Sequence, residues 1–118
     1  MFYRRKTNKI KAKWIKEFNK LFNEILLPTQ LKYGARLVGR WMTEEKDGVI
    51  EVFAIWEYDS QDQYEAIENK IRADAEHVKR VQNRFDEIGR ENLKDFFAEE
   101  IKQEFITSTV PRDKTILR

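Results

Sequence analysis

The sequence predicts an α+β fold in which strands and helices follow the order β-α-β-β-α-β. A broad apolar stripe at helical spacing runs from Trp14 to Leu26, and a second one runs from Tyr64 to Ile88. Between them, two apolar segments flank an Asp-Gly dipeptide, the pattern of an antiparallel hairpin. Strand-like segments near both ends complete a ferredoxin-like arrangement, which is a four-stranded antiparallel sheet with both helices on one face.

The first strand and the first helix come from the basic N-terminal part of the chain. Residues 2–10 alternate weakly between apolar and polar side chains and are expected to form a strand. The helical stripe begins at Trp14. Pro28 is expected to end or kink this helix, because proline lacks an amide hydrogen and restricts the residue before it. Gly34 closes the connection to the next strand.

The central hairpin is expected to join strands at residues 35–43 and 49–58 through a turn at Asp47 and Gly48. The second strand of this pair contains "VFAIW", five residues from Val52 to Trp56 without a polar side chain. A half-buried strand alternates apolar and polar residues, so this segment indicates apolar neighbours on both faces of the sheet.

The second helical region carries its own start and stop signals. Ser60 and Gln63 have capping-box spacing, and Asp74 is a candidate cap for a continuation of the helix. Gly89 is a plausible C-terminal stop. Residues 96–106 are expected to form the last strand.

The domain is therefore predicted to span residues 1–106. Residues 107–118 contain Pro111 and are expected to be a loose tail or to contact a partner.

Composition excludes several classes of site. The chain of 118 residues has no cysteine, which excludes disulfides, zinc-thiolate sites and thiol catalysis and fits a cytoplasmic location. The sequence shows no signal-peptide pattern and no apolar run long enough for a membrane helix. A net charge of +2 does not favour nucleic-acid binding, and the segment 49–58 lacks the basic-glycine-aromatic pattern of RNA recognition motifs. We expect no metal and no cofactor.

The apolar segment from Val52 to Trp56 also predicts a homodimer. Helices cover one face of a ferredoxin-like sheet, and large side chains left in water on the other face forfeit roughly 1.5–3 kcal/mol each. A second copy with its sheet against this one covers them and forms a barrel across two chains. The alternative is that Trp56 lies under the helices and Phe53 is the only exposed aromatic of this strand.

The segment from Gly34 to Gln82 resembles the NIPSNAP family in its small-protein branch. The resemblance is carried by the strand "GARLVGRW", the strand end "WEYDS" and the helix "IRADAEHVKR". In layout it extends over the whole chain. The family belongs to the dimeric α/β-barrel superfamily, so the resemblance implies the same fold and a homodimer, and it implies no particular reaction.

His77 is the only histidine and the catalytic candidate. By resemblance, it stands where heme-degrading monooxygenases of the superfamily place an iron-binding histidine, so it is a candidate heme ligand or acid-base group. Those enzymes carry a tryptophan ten residues earlier, where this chain has Ile67, and an asparagine on the first strand, where Asn8 is near. The alternative is that His77 is a surface or helix-capping residue.

The remaining candidates are ligand contacts on the strands. Arginines suit carboxylate or phosphate groups, although strand arginines beside acids also form cross-strand pairs. Aromatic residues of the central hairpin are expected to line a cavity between sheet and helices, together with His77. The candidate ligand contacts are Arg36, Arg40, Trp41, Phe53, Trp56 and Tyr58.

The sequence thus leaves three functional hypotheses. The first is a homodimer that binds a small, partly apolar molecule in the cavity, with a cofactor-independent monooxygenase as its enzymatic version. The second is a structural or protein-interaction module without a reaction. The third and weakest is heme binding through His77.

Overall fold

The sheet consists of four strands. The structure is a computed structural model, and it describes residues 1–114 apart from the side chain of Arg112. All neighbouring strands are antiparallel, and their order across the sheet is second, third, first, fourth. The predicted α+β, ferredoxin-like fold is confirmed. The strands are β1 (Phe2–Lys11), β2 (Arg36–Met42), β3 (Val49–Tyr58) and β4 (Lys102–Ile106), and the helices are α1 (Ile15–Leu21), α2 (Leu27–Lys32), α3 (Gln61–Ala73), α4 (Ala75–Ile88) and α5 (Arg90–Lys94).

Pro28 interrupts the first helical region without ending it. α1 passes directly into a π-helical segment, Phe22–Leu26, and this segment passes into α2. Pro28 lies in the first turn of α2, next to the wider hydrogen-bond spacing of the π-helical segment. The chain therefore stays helical as far as Lys32, beyond the end that proline suggested in the sequence.

The turn between β2 and β3 has the predicted geometry. Asp47 and Gly48 both have positive φ, 53° and 78°, as the two central residues of a type I′ turn require. Lys46 and Val49 exchange two backbone hydrogen bonds across the turn, of 2.9 and 3.0 Å. The Asp-Gly signal therefore identified the connection correctly. The limits of β3 are as predicted, and β2 is one residue shorter at each end than the predicted strand 35–43.

A β-bulge at Val38 changes which residues of β2 share a face. Leu37 pairs with Trp56, and Gly39 pairs with the preceding residue of β3, so Val38 has no partner across the ladder. In a strand without a bulge, side chains alternate between the two faces, so Leu37 and Trp41 would lie on the same face. With the extra residue between them, Leu37 lies on the face of the helices and Trp41 lies on the opposite face.

The caps of α3 and α4 are confirmed. The Ser60 hydroxyl accepts a hydrogen bond of 3.1 Å from the Gln63 amide, and the Asp74 carboxylate accepts one of 3.0 Å from the His77 amide. Gly89 ends α4 at a φ of 100°, where glycine is favoured. The short α5 that follows was not predicted.

The last strand is shorter than predicted. Residues 96–106 divide into a bridge at Phe97, which pairs with Ile10, and the strand β4. Phe96 is buried beside α5, while the acidic residues that follow are exposed. The chain therefore leaves the sheet after the bridge at Phe97 and returns to it at Lys102, where β4 begins. The boundary of the tail at residue 106 stays a prediction, and residues 115–118 lie outside the described part of the chain.

The core lies between the sheet and the helices and has two parts. One part surrounds Trp56, Tyr58 and Ile67, and the other surrounds Ile10, Val52 and Phe96. On β3 the alternate residues from Ile50 to Tyr58 are buried and face the helices, and Glu57 is buried on the opposite face. Within residues 1–114, none of the helices has the length and apolar character needed to cross a membrane.

Candidate ligand-binding cavity

A cavity of about 440 Å³ lies between the sheet and the helices. This volume is within the range of small-molecule sites, roughly 300–1,000 Å³. Most of its wall is apolar, and aromatic residues from both layers contribute to it. They include Phe18 and Phe22 from the first helical region, Trp56 from β3, Phe85 from α4 and Phe96 after α5.

Three cationic side chains also line the cavity. Arg4 and Lys6 alternate on the inner face of β1, and Arg40 is on the inner face of β2. Among the described residues, no aspartate or glutamate lines it. The cavity wall is therefore apolar with an excess of positive charge, although the chain as a whole is nearly neutral.

Arg4 is held by partners at one end of the cavity. Its guanidinium donates hydrogen bonds of 2.9 Å to the Tyr58 hydroxyl and 3.2 Å to the Gln103 amide oxygen, and it lies 3.5 Å from a Glu68 carboxylate oxygen. Burial raises the pKa of Tyr58 to about 12, so this hydroxyl remains protonated at neutral pH. Arg4 is therefore a fixed part of the wall, held from behind by Tyr58.

The Arg40 guanidinium has hydrogen-bond partners for only part of its nitrogens. One of its terminal nitrogens donates a hydrogen bond of 2.8 Å to the Asn19 side-chain oxygen, and the guanidinium carbon lies 4.2 Å from the centre of the Phe22 ring. Its other terminal nitrogen, Nη2, is buried and has no hydrogen-bond partner. Burial lowers the pKa of Arg40 to about 10, so the group still carries its charge at neutral pH.

Lys6 lies between these two arginines along the inner face of the sheet. Burial lowers its pKa, and the neighbouring Arg4 charge lowers it further, while Glu68 acts in the opposite direction. Within residues 1–114, the Lys6 ammonium has no ion pair and no hydrogen bond to another side chain.

His77 reaches the cavity from the first turn of α4. Its Nδ1 lies 2.8 Å from the Thr29 hydroxyl, and that hydroxyl also lies 3.2 Å from the Ile25 carbonyl oxygen. In the tautomer that carries its hydrogen on Nδ1, the ring donates to the Thr29 hydroxyl, that hydroxyl donates to the Ile25 carbonyl, and Nε2 is left as an acceptor. Burial lowers the pKa of His77 below its ordinary value of 6.5, so the ring is neutral at pH 7.

Asp74 fixes the start of α4 and therefore the position of His77. Its carboxylate accepts hydrogen bonds from the His77 amide and from the Tyr33 hydroxyl, the latter at 2.7 Å, and it pairs with Lys32. The first two contacts lower the pKa of Asp74 to about 2.

This shift predicts a measurable loss of stability in acid. The folded-state pKa lies below the ordinary value of 3.8, so the carboxylate contributes stability above pH 3.8 that is lost as pH falls towards about 2. Asp74→Asn keeps a good helix cap without the charge. We expect the stability difference between wild type and this variant to shrink between about pH 4 and pH 2, measured by urea unfolding. A constant difference over this range would contradict the role of the charge.

Comparison with known proteins decides the family. The NIPSNAP family model matches residues 3–95. The chain belongs to the NIPSNAP family. None of the curated proteins compared with it matches.

Solved structures share the fold of this NIPSNAP chain at low sequence identity. Protein Atu4242 from Agrobacterium tumefaciens is 21% identical, with a TM-score of 0.68 over 91% of this chain and 92% of that one. A dimeric ferredoxin-like protein from an uncultured marine organism is 16% identical, with a TM-score of 0.54 over 94% and 97%. A monooxygenase from the gene ActVA-Orf6 of Streptomyces coelicolor, solved in complex with Nanaomycin D, is 12% identical, with a TM-score of 0.55 over 93% and 88%.

In this NIPSNAP chain, the candidate residues from the sequence divide between the two faces of the sheet. Arg40, Trp56 and His77 border the cavity. Tyr58 is fully buried behind it, where it accepts the hydrogen bond from Arg4. The hypothesis that His77 is a surface residue does not fit its burial, although its backbone amide is part of the α4 cap.

The other candidates, Arg36, Trp41 and Phe53, lie on the outer face of the sheet. The Trp41 and Phe53 rings lie 5.5 Å apart on the outer face of the sheet, although Phe53 also borders the cavity. Arg36 is also on the outer face, where it pairs with Glu57 at 2.8 Å. The expectation that Trp41 lines the cavity is therefore wrong, because the bulge at Val38 turns it outwards. A ligand role for any candidate stays a prediction.

Sequence reasoning missed two cationic residues of this NIPSNAP cavity, Arg4 and Lys6. They lie in the basic N-terminal segment, where a run of charged residues favours a solvated surface. The signal that would have found them is the alternation of β1, which puts even-numbered residues on the same face as Ile10. Asn8 borders the cavity for the same reason.

The outer face of the NIPSNAP sheet is partly apolar. Trp41 is 47% exposed, and Val38 and Ile106 are also exposed, while Phe53 and Ile55 are half-buried. Ion pairs surround these residues, among them Arg5 with Glu104 at 2.7 Å. The face therefore combines an apolar centre with charges of both signs.

Proposed function

We propose that this NIPSNAP protein binds a small, partly apolar molecule in the cavity between its sheet and its helices. The observation that carries the proposal is the cavity itself, about 440 Å³ in volume and walled mainly by aromatic and aliphatic side chains. A few polar groups, including Arg40 and His77, give such a molecule fixed points of contact.

We also propose that the protein is a homodimer in which the outer faces of the two sheets meet. Its support is the apolar centre of that face, around Trp41 and Ile55, which a second copy covers. The charged residues around it are of both signs and pair within the chain, so two identical faces can meet across a two-fold axis without a large excess of like charge. A solved protein of similar fold is itself described as dimeric.

The enzymatic version is a monooxygenase without a cofactor. The neutral His77, with Nε2 as acceptor, removes a proton from a carbon atom that a neighbouring carbonyl makes acidic. The resulting carbanion reacts with O2. One oxygen atom becomes the oxygen of a new carbonyl group on that carbon. The other leaves as water, together with the two hydrogens that the carbon has lost. Oxygen uptake with anthrone, lost in His77→Gln, supports this version, and unchanged uptake contradicts it.

A neutral probe tests binding in the cavity. Ala54 borders the cavity on β3, so Ala54→Leu fills part of the space, while Ala66→Leu adds the same bulk at an exposed position of α3. Menadione is a suitable probe because the chain has no cysteine with which it could react. We expect menadione to raise the thermal midpoint of wild type and of Ala66→Leu, since a ligand of the native state stabilises it.

The Ala54→Leu protein is expected to lose most of this shift. An equal shift in all three proteins would place binding outside the cavity and contradict the proposal. No shift in any of them would favour the structural or protein-interaction module.

Heme binding through His77 remains the weaker candidate, because the residues fit a heme only in part. His77 and Asn8 border the cavity, and Nε2 is the imidazole nitrogen left for a metal. Ile67, where heme-degrading relatives carry tryptophan, is buried in the core and does not border the cavity. A Soret band that disappears in His77→Ala would favour heme.

A further inference from the structure

We infer that the molecule bound in the cavity is a carboxylate with an apolar body, and that Lys6 and Arg40 receive its carboxylate group. This inference rests on the proposed function and adds the chemical class of the ligand.

The register of the sheet brings the two cations to the same place. Ala54 of β3 pairs with Lys6 of β1 on one side and with Arg40 of β2 on the other. The three residues form a row across the inner face, and neighbouring strands are about 4.8 Å apart. The backbones of Lys6 and Arg40 are therefore roughly 10 Å apart, with only a methyl group between them. Two long side chains can meet above Ala54 around one ligand group.

Above Ala54, no acidic side chain of the described residues forms an ion pair with the cations of the cavity wall. Arg4 has the Glu68 carboxylate and two neutral acceptors, but Lys6 and Arg40 have no carboxylate partner among residues 1–114. Arg40 also has a buried Nη2 without a hydrogen-bond acceptor. Lys6 and Arg40 are half-buried, so their charges are partly desolvated, and an anionic ligand supplies the missing ion pair.

The shape of the site favours a carboxylate. A guanidinium nitrogen and an ammonium can each donate to one of the two carboxylate oxygens. The surrounding wall, with Phe22 and Trp56 nearby, offers apolar contacts to the rest of the molecule. A cationic ligand is disfavoured, because no acidic side chain among the described residues lines the cavity.

Matched probes test this inference by calorimetric titration. Naphthylacetate, naphthylethanol and naphthylethylamine have the same apolar body and differ in the charge of one end. We expect wild type to bind the acid at least about tenfold more tightly than the alcohol, as charge-assisted hydrogen bonds predict, and the amine least. Lys6→Met and Arg40→Met should lose the preference for the acid, so that each of these variants binds acid and alcohol with similar affinity. Lys16→Met, at an exposed position of α1, is the control and should behave as wild type.

The outcomes separate this inference from the proposed function. Equal affinity for acid and alcohol, or a preference that persists in both cavity variants, would overturn the carboxylate site while the cavity remains a binding site. Failure of all three probes to bind would overturn both.

A second measurement needs no ligand. Because Lys6 is half-buried beside the Arg4 charge and forms no ion pair with a residue in the range 1–114, Lys6→Met is expected to raise the thermal midpoint by a few degrees. A lower midpoint would mean that the ammonium already has a stabilising partner, and it would overturn the inference.

Discussion

Replacing Ile55 with glutamate is expected to convert the proposed dimer into a monomer. Ile55 lies at the centre of the outer face, between Arg5 of β1 and Gly39 of β2. In the proposed dimer, the change puts a carboxylate from each copy into an apolar contact, and burying such a charge costs several kcal/mol. Size-exclusion chromatography with light scattering should show the mass fall from twice 14.3 kDa to 14.3 kDa.

Val78→Glu is the matched control for this change. Val78 is 40% exposed on α4, away from the outer face of the sheet, so its replacement should leave the mass unchanged. A wild-type protein that is already monomeric, or a dimer that survives Ile55→Glu, would contradict the proposed assembly and leave the exposed apolar face without a partner.

Replacing Trp56 with alanine should lower the free energy of unfolding by about 3–5 kcal/mol, the usual loss for a buried tryptophan. Trp56 is 3% exposed, and its ring lies 6.1 Å from the ring of Phe22. The change removes contacts between the sheet and the first helical region and enlarges the neighbouring cavity. Urea unfolding followed by circular dichroism, at one protein concentration for all variants, measures the loss.

Trp56→Phe provides the comparison, because it keeps an aromatic ring at the same position and should destabilise much less. If Trp56→Ala costs under about 1 kcal/mol, the side chain does not carry the core contacts described above.

The sequence predicted the elements that depend on short-range chemistry. The turn at Asp47 and Gly48, the cap at Ser60 and the stop at Gly89 each follow from the conformational preference of one or two residues. The division of the segment 96–106 was not predictable in this way. It depends on Phe96 entering the core beside α5, a contact between distant parts of the chain.

The residues of the candidate site were predictable where their type alone marks them, and not where their orientation depends on the sheet. His77 and Arg40 stand out by residue type, and both border the cavity. The orientation of Trp41 depends on the bulge at Val38, which has no clear signature in the sequence. Lys6 was hidden in a basic segment, where composition suggests a solvated surface more strongly than weak alternation suggests an inner face.

The bulge at Val38 also has a consequence for how this strand can change by mutation. Because of this one additional residue, β2 presents Arg40 to the inside of the sheet and Trp41 to the outside. Straightening β2 without removing a residue would exchange them, because Arg40 would then pair with Phe53 and Trp41 with Val52, so that the indole would enter the cavity and the guanidinium would join the outer face. Ligand chemistry and assembly thus both depend on this bulge, so one shift of register in β2 would alter both properties in a single step.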